Sequence, residues 1–426
     1  MLRTGDAAAL LDRQTHEGMV VPDYGGYCFA NVPGTVGDVF DVDVGRSLPT
    51  DVFGGVDTDV SHVVVVLLDG LGWRRWRRDS EDHRFLSRLG ERGSVTPLTT
   101  VCPSSTATAI TTVHTGATPA EHGVLGWDVH LPEHGDIVGA FPHAVREDVV
   151  GDVAGGRTPA TESADLVAAD PVYPTLVDAG VEAHVVQGSE TLGTDYADAT
   201  FGGAEQVPAD GPRETARAVR RVVESADGQT YTYAYLPQLD ATSHEFGTDS
   251  GAYHDALATL TRCLSRELYD RLDPETAAET LLVATADHGM VDLEPGPAGC
   301  LDLSTVDGVT AGLKRRPSGE PSPPFADPRL THLAVRAGGV DGVVDALEPH
   351  GVDAFTREEV RELGLYGLDH GVVFERRAGD LVLTHPEMKL VHPAVEDVVS
   401  HVGMHGGLTP REMLVPFAAA RLSDLQ

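Results

Sequence analysis

The run His62-Val63-Val64-Val65-Val66-Leu67-Leu68, closed by Asp69-Gly70, constrains this chain more than any other stretch. An unbroken β-branched segment suits a central parallel strand buried on both faces, because a strand with one wet face would alternate polar and apolar residues. Similar runs recur at 182–186, 231–236 and 281–285, and helical patterns separate them at 212–225 and 252–272. An arginine-rich helical stretch is expected from 73 to about 92. Strands alternating with helices predict an α/β fold, with a mostly parallel sheet covered by helices on both faces.

The rest of the chain divides around that core. Residues 1–60 are rich in Gly and Asp and read as a lead-in packed on it. The catalytic core is expected over 61–291 and again over 401–426. Between them, 292–400 contains a Pro/Ser/Gly-rich loop at 317–324 and short strands and helices, and reads as an inserted α+β cap.

In open parallel sheets ligands bind beyond the carboxyl ends of the strands. Asp69 closes the first run, Asp287-His288-Gly289 closes the last, and Asp240 and His244 follow the third. One polar residue past a strand is ordinary. Several carboxylates and imidazoles on one rim attract divalent cations. Asp240 and His244 are four apart, so a helical turn aims both at one ion. Asp287 and His288 are adjacent, and both serve a site only from the loop past the strand. Taken singly, each has a plain structural reading as an N-cap, a turn or a surface histidine.

The segment Thr99-Thr100-Val101-Cys102-Pro103-Ser104-Ser105-Thr106 leads into small residues that end at Thr115-Gly116, with Glu121-His122-Gly123 beyond. A hydroxyl at such a helix start sits where free N–H groups favour an anion, and a bound metal turns such a hydroxyl into a nucleophile. By itself the segment also reads as a helix cap.

Together these pieces resemble the type I phosphodiesterase/nucleotide pyrophosphatase family of the alkaline-phosphatase superfamily. The resemblance rests on Leu67-Leu68-Asp69-Gly70, the 103–116 segment with Glu121-His122-Gly123, Asp240-x-x-x-His244, Asp287-His288-Gly289-Met290 and His405-Gly406-Gly407, in the family's chain order. It implies an alkaline-phosphatase-like three-layer sandwich with a small cap. It also implies two divalent metals, zinc first, with manganese or iron as alternatives. By motif, Asp240, His244 and His405 hold one metal, and Asp69, Asp287, His288 and the nucleophile hold the other. Counting back from Gly116 makes Thr106 the nucleophile, with Ser104 and Ser105 as neighbouring alternatives. His401 competes with His405, and the Gly-Gly pair favours His405. The family's phosphate-holding Asn is replaced by Trp127, which is carried as a substrate-binding position. The implied activity is hydrolysis of phosphodiester or nucleotide pyrophosphate bonds through a phospho-threonine. A phosphomonoesterase or phosphonate hydrolase on the same site is the alternative, followed by a non-catalytic metal-binding protein.

Charge bears on partners. The chain has 66 acidic against 31 basic residues, a formal net of -35, with Lys314 and Lys389 as its lysines. Such a surface repels itself in dilute salt and is screened in concentrated salt, as in proteins of salt-loving organisms. It disfavours nucleic-acid binding through a basic face. The substrate is therefore expected to be a small phosphoester. The four cysteines form no CxxC pair, and no signal-like or membrane-spanning run stands out, so a cytoplasmic setting is expected. Leaving-group preference is expected to reside in the cap and in loops near 124–170.

Overall fold

The computed structural model describes residues 2–132, 135–142, 144–145, 166–316, 318–392 and 396–426. Much of the 124–170 loop region, at 133–134, 143 and 146–165, lies outside the described residues, as does Pro317 of the proline-rich loop. The strands that build the two main sheets are, in chain order, β1 (His62–Leu68), β2 (Ser94–Thr99), β3 (Asp128–Leu131), β4 (Asp136–Gly139), β5 (Ala144–Val145), β6 (Glu182–Gln187), β7 (Glu205–Pro208), β8 (Thr230–Leu236), β9 (Thr280–Thr285), β10 (Phe325–Asp327), β11 (Leu330–Leu333), β12 (Asp353–Thr356), β13 (Leu381–Thr384) and β14 (Leu414–Arg421).

The first sheet has the order β2-β14-β9-β1-β8-β6-β7. The five strands from β9 to β7 are mutually parallel, and β14 runs antiparallel to both its neighbours. Every residue of β1 is buried, as its unbroken apolar run requires. The helices Pro212–Ser225 and Gly251–Leu264 turn buried apolar residues toward this core. The helix Val32–Val39 from the lead-in also contributes to it, through Val32 and Val36. This is the α/β fold, a mostly parallel sheet with helices packed on its core, that the strand runs predict.

Register fixes the rim. Leu67 of β1 stands opposite Tyr235 of β8 on one side and Thr285 of β9 on the other. Asp69, Asp287 and the helix Gln238–Phe246 therefore leave the sheet at one level. Two glycines let the strand-end loops meet: a Cβ on Gly72 would stand 2.4 Å from the Gly289 Cα, and one on Gly289 would stand 2.0 Å from the Arg411 carbonyl.

The second sheet has the order β12-β13-β11-β10-β3-β4-β5 and is antiparallel throughout. It joins strands from 325–384 to strands from 128–145. Its seam is the pairing of Ala326 with Asp128.

Three local expectations are corrected. The stretch 73–92 is broken into Trp73–Asp79, a 3-10 turn Ser80–Asp82 and Arg84–Arg92, because His83 is extended and ends the helical run. The 252–272 helix gives way to a π turn at Ser265–Tyr269. β2 was not expected, since Pro97 interrupts its pattern; a proline is tolerated because β2 is the edge of the sheet.

Candidate metal centre and nucleophile

Asp69 follows β1 directly, and its N–H donates to the Leu236 carbonyl at 3.1 Å, which ties it to the end of β8. Its Oδ2 accepts from the Tyr235 hydroxyl, while its buried Oδ1 has no hydrogen-bond partner among the described residues. Past β9, Asp287 Oδ1 accepts from the backbone N–H groups of Gly70 at 3.2 Å and His288 at 3.0 Å. Its Oδ2 is buried and has no hydrogen-bond partner among the described residues. On the helix Gln238–Phe246, Asp240 Oδ2 lies 3.3 Å from His244 Nε2, and Asp240 Oδ1 lies 3.6 Å from His405 Nε2.

The three histidines share one orientation. His244 Nδ1 faces the Gly403 carbonyl at 2.8 Å, His288 Nδ1 the Gly289 carbonyl at 3.1 Å, and His405 Nδ1 the Ser104 carbonyl at 3.1 Å. A carbonyl accepts only, so each Nδ1 carries the proton in the neutral ring and each Nε2 presents a lone pair. Those lone pairs turn inward: His288 Nε2 is 3.4 Å from both Asp69 Oδ1 and Asp287 Oδ2. The His288 and His405 rings stack with centroids 3.7 Å apart. Lone pairs facing carboxylate oxygens repel, and a cation between them converts that repulsion into ligation. Backbone carbonyls behind the rings are the usual support for histidine metal ligands.

The electrostatics agree. Burial, then Asp287 and Asp240, push the Asp69 carboxyl well above the usual carboxylate range. Burial also raises Asp287. Burial works to raise Asp240 as well, and protonated rings at His244, His405 and His288 would outweigh that and hold it low; neutral rings with their lone pairs inward give it no such relief. Burial, then His288, drives the His405 imidazole well below its ordinary value. Three carboxylates, two of them buried and Asp240 half-buried, cannot all ionise side by side without positive charge among them. Donor atoms of Asp240, His244 and His405 lie within 4.8 Å of one another, and so do those of Asp69, Asp240 and His288. Asp240 belongs to both groups. The donor set, carboxylate oxygen with neutral imidazole, suits zinc and also manganese or iron.

Thr106 opens the helix Thr106–Thr115, and its Oγ1 is 3.0 Å from His288 Nε2. The two serines beside it are occupied elsewhere. Ser104 Oγ donates to the Gly407 carbonyl at 2.7 Å and accepts from the Gly406 N–H at 3.1 Å. Ser105 Oγ donates to Asp327 Oδ1 at 3.0 Å. All seven residues named for metal and nucleophile from the sequence thus meet at one rim. His401 packs against His244 with ring centroids 4.6 Å apart and lines the cavity outside, apart from both donor groups. Trp127 also lines that cavity, with its ring edge-on to Phe141 at 5.3 Å.

Glu121-His122 has another use. His122 is fully buried between Thr112 Oγ1 and the Val124 N–H. Glu121 closes a capping box with Thr118 and pairs with Arg46. Two residues at the rim were missed. Tyr235 ends an alternating Tyr231-x-Tyr233-x-Tyr235 run, a pattern that places all three on one face of β8. Asp327 had no signal, since the chain reaches Ser105 and Trp127 from a segment 200 residues away.

The family model for type I phosphodiesterase / nucleotide pyrophosphatase matches residues 63–407, and the chain belongs to that family. Among solved structures it is similar to murine ectonucleotide pyrophosphatase / phosphodiesterase 5, with a TM-score of 0.62 and 17% identity over 84% of this chain and 87% of that one. The human counterpart gives a TM-score of 0.61 and 15% identity over the same shares, 84% and 87%. Phosphonoacetate hydrolase from Sinorhizobium meliloti 1021, in complex with phosphonoacetate, gives 0.59 and 18% over 85% of this chain and 93% of that one. No curated protein matches by sequence. Family members use divalent metals, and small phosphoester or phosphonate substrates fit the family. No helix among the described residues is long and apolar enough to cross a membrane.

Proposed function

We propose that this chain cleaves phosphodiester or nucleotide pyrophosphate bonds through a phospho-threonine on Thr106, with two divalent cations, zinc foremost. The observation that carries this reading is the convergence of Thr106 Oγ1, three inward-facing Nε2 atoms and three carboxylates in one cluster, buried on the Asp69–Asp287–His288 side and half-buried on the Asp240–His244–His405 side. Asp240, His244 and His405 would hold one cation, and Asp69, Asp287 and His288, with Thr106, the other. Bound there, the cations supply Lewis-acid chemistry, lowering the pKa of the hydroxyl and neutralising charge on the phosphoryl oxygens.

The chain's own groups do the rest. Thr106 Oγ1, its proton released to solvent water, forms a bond to phosphorus as the opposite ester bond breaks; the leaving oxygen departs in line and takes a proton from water. The first-turn N–H groups of the helix Thr106–Thr115 favour the anionic phosphoryl group. Tyr235, whose hydroxyl is kept protonated by burial and then by Asp69, donates to Asp69 Oδ2 and fixes that carboxylate. Water then cleaves the threonine ester and restores the hydroxyl.

The likeness to phosphonoacetate hydrolase favours one second reading, hydrolysis of a carbon–phosphorus bond by the same residues. A salt-adapted setting completes the proposal, supported by the net charge of -35. The test is turnover of bis(4-nitrophenyl) phosphate, a nitrophenyl monoester and phosphonoacetate in molar salt with zinc or manganese. Diester turnover is expected to dominate. Thr106→Ala is expected to lower kcat roughly a thousandfold or more, and Thr106→Ser to keep much of it. Wild-type turnover by Thr106→Ala overturns the nucleophile, and turnover of phosphonoacetate alone selects the second reading.

A further inference from the structure

His405 stands between a held side and a loose one. Before it, Gly403–Met404 pairs with Val291–Asp292 in a short antiparallel ladder just past Asp287-His288. After it come Gly406 and Gly407, and glycine has more backbone freedom to lose than any other residue. Gly406 has φ +109°, which strains any residue with a side chain, and a Cβ on Gly407 would fall 2.8 Å from Glu412 Oε1. Ser104 closes the loose side. It is fully buried and lies two residues before Thr106. Its Oγ donates to the Gly407 carbonyl at 2.7 Å and accepts from the Gly406 N–H at 3.1 Å, so one hydroxyl brackets the glycine pair. Glu412 takes the Gly407 N–H and leaves that of Gly406 to Ser104. The Ser104 carbonyl accepts from His405 Nδ1 at 3.1 Å. One residue of the Thr106 segment thus reaches three successive residues, 405 to 407.

We propose that Ser104 is a positioning residue: it fixes His405 relative to Thr106 and so sets the spacing between the two donor groups. This rests on the reading of His405 as a metal ligand and Thr106 as the nucleophile. His405 Nε2 faces Asp240 Oδ1 at 3.6 Å, whereas Thr106 Oγ1 lies 3.0 Å from His288 Nε2 in the other group. The Ser104 carbonyl orients the imidazole ring, but it does not fix where the chain carries that ring. The hydroxyl does, by holding the two residues that follow. Without it the glycine pair shifts and His405 shifts with it, and a displacement of about 1 Å is enough to misalign reacting groups. A buried serine that only satisfied backbone groups would lower stability and leave the donor geometry alone.

The test compares Ser104→Ala, His405→Ala and the double variant with wild type. Zinc affinity is read by competition with a chromophoric chelator, and kcat is measured on a nitrophenyl diester. Ser104→Ala is expected to bind one zinc equivalent roughly 10–100-fold more weakly and the other as wild type does, with kcat falling about tenfold or more. In the His405→Ala background, loss of the Ser104 hydroxyl is expected to lower turnover no further, since the group it acts through is gone. Should alanine not be accepted at this buried site, Ser104→Cys, whose S–H is a weak donor, carries the same one-site expectation. Zinc affinity unchanged in Ser104→Ala, or weakened alike at both equivalents, overturns the inference, as does a loss of turnover that multiplies in full in the double variant. Those results leave the metal reading standing, provided His405→Ala itself loses one equivalent. If His405→Ala keeps both, the metal reading falls, and the role of Ser104 falls with it.

Discussion

Asp240 is the residue on which the site turns, because its two carboxylate oxygens face two different histidines, His244 and His405. It belongs to both donor groups, whereas His405 belongs to one. Asp240→Ala is therefore expected to empty the position it would hold with His244 and His405 and to weaken metal at the one beside Asp69 and His288, and His405→Ala to empty the first alone, as read by metal analysis after dialysis. Equal stoichiometry in the two variants would contradict the shared role. Sequence carried unequal information about these residues. Asp69, Asp287 and His288 were legible because strand ends announce the rim. His405 was reachable only through resemblance, since its approach to Asp240 is made by a distant segment and leaves no local pattern. Asp327 was not legible at all, for the same reason. Thr106 was singled out from Ser104 and Ser105 by counting. The structure adds a reason, since both serine hydroxyls are already committed.

At the scale of elements, the rim depends on how the C-terminal segment is held against the core. Arg329 and Glu412 are fully buried and paired in a fork, at 3.0 Å and 3.1 Å. Arg329 also donates to the carbonyls of His385, Met388 and Pro386. Glu412 accepts from the Gly407 N–H, two residues beyond His405. Burial would raise the Glu412 carboxyl, but Arg329 outweighs it and holds it below its ordinary value of 4.5. A carboxylate lowered in the folded state contributes stability that is fully present above 4.5 and lost as pH falls through the lower folded value. Acid unfolding followed by circular dichroism is expected to show this loss below pH 4.5 in wild type. Glu412→Gln is expected to cost about 3–5 kcal/mol near neutral pH, by leaving the Arg329 charge buried without its partner. A variant as stable as wild type would mean that the pair does not anchor the segment. The core strands were legible because β-branched runs have one outcome when buried on both faces. β2 was not, because its place at the sheet edge, which excuses Pro97, is a tertiary fact.

Across the whole molecule, charge outweighs any single contact. A net of -35 is a self-repulsion that no local pairing cancels, and added salt shortens its range to about 3 Å at 1 M. Even the two lysines are drawn into pairing or burial. Lys389 is buried, donating to the Val399 and His401 carbonyls, and Lys314 pairs with Asp380. The melting temperature is expected to rise steadily from dilute buffer to molar potassium chloride, and a flat profile would detach the acidic surface from salt adaptation. The central claim, a covalent intermediate on Thr106, is tested most directly by acid-quenching the metal-loaded enzyme during turnover of a nitrophenyl diester and mapping the adduct by mass spectrometry. One ester-phosphoryl group on Thr106 is expected. An adduct on Ser104 or Ser105, or sustained turnover through a Thr106→Ala variant, would contradict it.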